Sequence, residues 1–138
     1  MSHEVAFRTP QSLLELSKTI LDCDPPSKKK SSDFLVNKKV KDFANSLGDS
    51  FKRFGSDKSI HHDYQNVYAH IIMAFHRPLN ILEIGLGSHN KNIASHMTND
   101  FNPGGSLNAF KSLLPNSTIH GADIDEELII NGFEVFNI

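Results

Sequence analysis

The stretch spanning residues 80–125 constrains this chain most. An apolar run, Asn80-Ile81-Leu82-Glu83-Ile84, ends against Gly85-Leu86-Gly87. A helix pattern opens at Gly104-Gly105-Ser106 and carries Leu107, Phe110, Leu113 and Leu114 on one side. A second short apolar run over residues 118–122 then closes on Asp123. Short apolar runs bounded by Gly and Pro read as strands, and a helix between two of them supplies the crossover that a parallel pair needs. The expected fold class is therefore α/β: an N-terminal helical extension, then the first half of a Rossmann-like doubly wound parallel sheet. The strand over residues 80–84 is expected to be central, with the site at its carboxyl end.

The 138 residues and 38% hydrophobic content suit one small unit with its own core. The formal charge of -2 hides an asymmetry: residues 1–60 hold 11 Lys/Arg against 8 Asp/Glu, and residues 61–138 hold 3 against 8. The acidic half is the one that carries the glycine motif. Lys28-Lys29-Lys30 and Lys38-Lys39 lack the interleaved aromatics that would stack on bases, so no nucleic-acid partner is expected. A solvated face or a linker accounts for those lysines. The one cysteine, Cys23, excludes an intramolecular disulfide and a cysteine-cluster zinc site, which suits a reducing, cytoplasmic setting. No apolar signal region follows Met1 and no run of 18 apolar residues occurs, so no membrane partner is expected.

Along the chain, Thr9 as N-cap and Pro10 at the first helical position predict a helix over residues 9–22, with Leu13, Leu14, Leu16, Ile20 and Leu21 at near-helical spacing. A linker follows at residues 23–32. A second helix is predicted from Asp33, with Phe34, Val36, Val40, Phe43, Ala44 and Leu47 apolar and Gly48 as its stop. The domain organisation is thus a helical extension over residues 1–53 and a partial cofactor-binding domain over 54–138. The extension would cover a cleft, mediate formation of a homo-oligomer, or simply pack. A third helix is predicted over residues 62–75, its apolar positions Tyr64, Val67, Tyr68, Ile71, Ile72 and Phe75 matching one helical face. Residues 88–103 form a long polar loop, a length that points to a binding loop. A short helix over 126–130, a turn at Asn131-Gly132 and a third strand over 133–138 complete the chain.

Glycines just past a parallel strand let the backbone bend and approach a ligand without an intervening Cβ. Glu83 beside them would repel a pyrophosphate and suits a cationic or hydroxyl-bearing ligand, and no third glycine completes the dinucleotide fingerprint. Nicotinamide dinucleotides are therefore disfavoured. Asp123, closing the second strand, can accept both hydroxyls of a ribose, against the plainer account of a solvated acid at a strand end. Asp125, Glu126 and Glu127 fit the first turn of a helix without any ligand.

These residues resemble a family. The run Ile81-Leu82-Glu83-Ile84-Gly85-Leu86-Gly87, with Gly104-Gly105-Ser106-Leu107, Leu114-Pro115-Asn116-Ser117 and Ile119-His120-Gly121-Ala122-Asp123-Ile124-Asp125, resembles class I S-adenosylmethionine-dependent methyltransferases. It looks most like the macrocin-type branch of sugar and macrolide-glycoside O-methyltransferases. Gly55-Ser56-Asp57-Lys58, His61-His62-Asp63-Tyr64 and Tyr68 are also similar to the leading segment of that branch. The resemblance covers residues 54–138. It implies S-adenosylmethionine as cofactor and a small-molecule hydroxyl, such as a sugar's, as acceptor. Glu83, Gly85 and Gly87 would lie along the methionine part of the cofactor, Asp123 would hold the ribose hydroxyls, and Ser106 would contact the cofactor's carboxylate. The family's sheet has seven strands, and this sequence supplies the first three, so it reads as truncated after the third strand. The rival from another class is a non-catalytic, cofactor-binding remnant that acts as an interaction module.

Eight histidines invite a metal, yet no H-x-x-x-H pair occurs, and His62 and His70 are too far apart on one helix to share an ion. No metal site is expected. His61 or His62 as a general base stands beside the plainer account of capping or surface histidines. Tyr64 and Tyr68 are expected to face the core.

Overall fold

A computed structural model describes residues 29–60, 62–93 and 96–138. The helix predicted over residues 9–22, Cys23, most of the linker and His61 lie outside the described residues. Helices α1 (Lys38–Arg53), α2 (Tyr64–Met73) and α3 (Gly105–Leu113) and strands β1 (Asn80–Ile84), β2 (Thr118–Asp123) and β3 (Val135–Asn137) make an α/β architecture. Short 3-10 turns at Ser31–Phe34 and Asp57–Ser59 precede α1 and α2 respectively.

Helix α1 starts later and ends later than its apolar pattern predicts. Asn37 caps it, its side chain accepting from the Val40 amide at 3.0 Å, so the run Asp33-Phe34 becomes the separate 3-10 turn. Gly48, expected as the stop, lies inside the helix beneath Gln65 of α2. The true stop is Gly55, in the left-handed conformation at φ 72°, where the Gly55 amide bonds the Lys52 carbonyl and the Ser56 amide bonds the Phe51 carbonyl. That pair of hydrogen bonds is a Schellman closure, and the helix runs far enough to bury Phe51. Lys52 and Arg53 in the last turn complement the helix dipole.

Leu47 and Phe51 from this helix are the largest fully buried side chains together with Leu107. Phe51 meets Phe110 edge-on at 5.4 Å and Tyr68 at 6.2 Å. Burying a side chain of that size contributes about 1.5–3 kcal/mol. The helix that the sequence assigns to an extension therefore holds the centre of the core. Helix α2 begins at Tyr64, because Asp63 takes a left-handed conformation at φ 41°, and it ends at Met73, inside the predicted limits. Its apolar stripe divides. Tyr68 and Ile72 pack on the core, while Tyr64, Ile71 and Phe75 are exposed.

The three strands are parallel in the order β1-β2-β3. Ile81 pairs with Ile119, Glu83 with Gly121, and Ala122 with Phe136. Strand β1, expected in the centre, is an edge strand among the described residues, and β2 holds the middle. Alternation along the strands sends Ile81, Ile119 and Val135 to the helices and Leu82, Ile84, His120 and Phe136 to the other face. There Leu82 is 57%, Ile84 67% and Phe136 43% exposed. Parallel sheets ordinarily carry cover on both faces, and among the described residues no helix lies over Leu82, Ile84 and Phe136.

In place of the predicted short helix, Glu126 and Glu127 form a single turn and residues 128–130 have no regular structure. The Asp125 carboxylate accepts from the Glu127 amide, as at a helix start, and the Leu128 amide bonds the Asp125 carbonyl, but that single turn is not continued. Strand β3 is shorter than predicted, three residues following the turn at Asn131-Gly132.

Candidate functional site

Glu83, Gly85, Gly87, Ser106 and Asp123 converge at the carboxyl ends of β1 and β2, facing the first turn of α3. Gly85, Gly87, Ser106 and Asp123 line one cleft of about 390 Å³, within the range of small-ligand sites. A larger cleft of about 690 Å³ runs beside β1, lined by Glu83, Tyr68, Ile71 and Phe75 among others. Lys58 lines both clefts and marks their junction.

The centre of the site is a three-residue knot. Lys58 Nζ lies 2.8 Å from Glu83 Oε1, and Ser106 Oγ donates to the same oxygen at 2.8 Å. The two charged side chains are only 16% and 11% exposed. The other carboxylate oxygen, Glu83 Oε2, is buried and has no hydrogen-bond partner. A buried anionic oxygen without a donor is costly, and such an atom at a strand end marks a place where a ligand's donor fits. Burial by itself would lower the Lys58 ammonium, but the charge of Glu83 and its hydrogen bond, with smaller help from Tyr68 and Asp57, raise it above its ordinary value. Burial also raises the Tyr68 phenol, and Glu83 adds to this while Lys58 opposes it. Lys58 is therefore a cation and Tyr68 a neutral phenol at neutral pH.

Gly85 adopts φ 80°, and a Cβ there would meet nothing within 4 Å, so the backbone at the strand end is open to an incoming group. Its amide is tied to the Ala122 carbonyl at 2.8 Å, which holds the turn in place. Gly87 is covered: a Cβ there would lie 2.6 Å from the Met97 thioether, and the Met97 amide donates to the Ser88 carbonyl at 2.8 Å.

Asp123 is 4% exposed and works first as a clamp. One oxygen accepts from the Leu86 amide at 2.6 Å and the other from the Asp125 amide at 3.0 Å, which locks the glycine turn of β1 to the end of β2. A carboxylate oxygen has two lone pairs, so each can still accept a hydroxyl from the cleft. Asp125 is buried and accepts from the Ser88 hydroxyl. That bond, opposed by burial and aided by the Glu127 amide and Asn90, lowers its pKa below the usual aspartate value.

Lys58 and the Ser88–Asp125 bond carry no assigned role in the sequence. Lys58 sits on a 3-10 turn, and only the fold brings it to Glu83. His62, a candidate base, stacks on Tyr64 with ring centroids 4.9 Å apart. Tyr64, expected in the core, is 43% exposed. Among the described residues no group of three His, Cys, Asp or Glu side chains could hold a metal ion, and no helix is long and apolar enough to cross a membrane. No protein-family model, curated protein or solved structure matches the chain.

Proposed function

We propose that this cleft binds S-adenosylmethionine and that the chain is the cofactor-binding, N-terminal part of a methyltransferase acting on a hydroxyl, with a sugar or glycosylated small molecule as acceptor. One observation carries the proposal: the buried, unpartnered Glu83 Oε2 beside the open backbone of Gly85, at the carboxyl end of a parallel strand. That oxygen asks for a donor, and an ammonium group is the donor that a carboxylate takes best. Asp57, Glu83 and Asp123 line the two clefts against two cations, Lys58 and Arg77 just ahead of β1, and the smaller cleft holds two acids to one cation, a balance that disfavours a pyrophosphate.

When bound, the cofactor supplies an electrophilic methyl group on a sulfonium. The residues of this chain bind and orient it. Glu83 Oε2 accepts from the ammonium, the Gly85 turn admits the chain that joins ammonium to sulfur, and the spare lone pairs of Asp123 receive ribose hydroxyls. Most of the rate in such a transfer comes from aligning the methyl with an oxygen nucleophile. Lys58 and Tyr68, whose pKa values are both raised, hold their protons at neutral pH and are donors. The same proposal sets the protein in the cytoplasm, in keeping with its lone Cys23.

The exposure of Leu82, Ile84 and Phe136 among the described residues favours a second reading, a non-catalytic module that binds the cofactor or a partner. Calorimetric titration of the chain with S-adenosylhomocysteine and, separately, NAD tests the first. A micromolar affinity for S-adenosylhomocysteine alone is expected. Heat from NAD alone, or from neither, refutes the cofactor assignment and leaves the interaction module.

A further inference from the structure

We infer that Lys58 is the specificity residue for the α-carboxylate of the bound ligand, so that Lys58 and Glu83 together form a receptor for an amino-acid zwitterion. The inference rests on the cofactor reading of the cleft and adds to it a residue and a recognised group. The Ser106 hydroxyl, the first choice for a carboxylate partner on sequence grounds, is turned the other way: it donates its proton to Glu83 Oε1. That proton is spent, and the ligand's carboxylate needs another donor.

Lys58 is placed to be that donor. Its ammonium has three N–H groups, of which Glu83 Oε1 at 2.8 Å takes one. It lines the cleft that holds Gly85, Ser106 and Asp123 and also the neighbouring one beside β1. The Lys58–Glu83 pair is itself neutral, as an α-amino acid is overall, so the two ion pairs can interlock: ammonium to Glu83 Oε2, carboxylate to Lys58. The ion pair also explains how Glu83 can be charged and mostly buried before any ligand arrives, since a lone buried carboxylate would be strongly penalised. Of the charged side chains lining the smaller cleft, Asp57, Lys58 and Asp123, Lys58 alone is cationic.

The test compares S-adenosylhomocysteine with its decarboxylated analogue, 5′-deoxy-5′-(3-aminopropylthio)adenosine, by titration calorimetry on the full chain. The unaltered protein is expected to bind the carboxylated ligand at least tenfold more tightly. In Lys58→Met that preference should fall to within about twofold, through loss of affinity for the carboxylated ligand, and Lys58→Arg should restore most of it. Because Lys58→Met leaves Glu83 buried without its cation, the double variant Lys58→Met/Glu83→Gln is measured alongside; it removes both charges, and its preference should likewise vanish. Glu83→Gln alone should weaken both ligands equally and keep the preference. A preference retained by Lys58→Met or by the double variant overturns the inference, as does equal binding of the two ligands by the unaltered protein, and in these cases the cofactor reading stands. Failure of both ligands to bind the unaltered protein overturns the cofactor reading and the inference with it.

Discussion

Asp123 and Asp125 show how much an acid at a strand end does before any ligand is considered. The first locks the Leu86 amide to the end of β2, and the second holds Ser88 and the Glu127 amide. Because the folded-state pKa of Asp125 is lowered, its contribution to stability is present above the ordinary aspartate value of about 3.9 and is lost as pH falls through the folded-state value. Asp125→Asn should accordingly show a shallower loss of stability below about pH 4 than the unaltered chain, measured as the urea midpoint against pH. An identical acid slope in the two proteins would remove Asp125 from the account. The Lys58–Glu83 pair has the opposite sign. A raised lysine pKa gives stability that is full below its ordinary value of about 10.4 and lost only as pH rises through the folded-state value, so the pair is intact across the physiological range. At this scale sequence reasoning finds residues that stand beside glycines, such as Glu83 and Asp123. It meets Lys58 only as a member of a resembling segment and gives it no role, because that role lies in a contact with Glu83 on β1.

Among the elements, the limits of β1 are legible because Pro78 on one side and Gly85 on the other bound a continuous apolar run, and the strand occupies that run without a residue's shift. Helix α1 is less so. A glycine reads as a stop wherever it follows an apolar stripe, yet Gly48 and Gly55 are told apart only by what lies across from them: Gln65 over the first, Asn102 against the second. The helix continues through Gly48 because Phe51 beyond it has a core to enter. Gly48 therefore stands as an ordinary interior position with an unused propensity. Gly48→Ala puts a methyl 3.4 Å from the flexible Gln65 side chain, ordinary contact, and should stabilise the chain by about 0.5–1 kcal/mol in urea unfolding. A loss of stability would mean that Gln65 cannot yield. The turn at residues 126–127 teaches the complementary lesson. Its composition permits a helix, and Asp125 accepts from the Glu127 amide as a helix start would, yet the chain closes one turn through the Leu128 amide and runs on irregularly to Asn131-Gly132.

For the whole molecule, the α/β class and the parallel pairing follow from the order of the patterns, whereas the bareness of one sheet face does not. Strand runs rich in Leu, Ile and Ala predict cover on both sides, and the described residues cover one. Ile84, 67% exposed on that face, is a surface residue in energetic terms. Ile84→Lys should leave the urea midpoint nearly unchanged, within about 0.5 kcal/mol, and should reduce binding of an apolar fluorescent dye. A large destabilisation would show instead that Ile84 is covered in solution.

The core that Leu47 and Phe51 enter has a consequence in time. Their partners Leu107, Phe110 and Ile119 come far later in the chain, and the Ser50 hydroxyl meets that of Ser112 across a separation of 62 residues. During synthesis α2 follows α1 directly and can pack on Val40, Ala44 and Phe51, but among the described residues Leu47 and Phe51 are not enclosed until α3 and β2 have followed. Closing so long a loop precedes the gain from burial, which makes for slow folding and a waiting interval in which those side chains are open to chaperones.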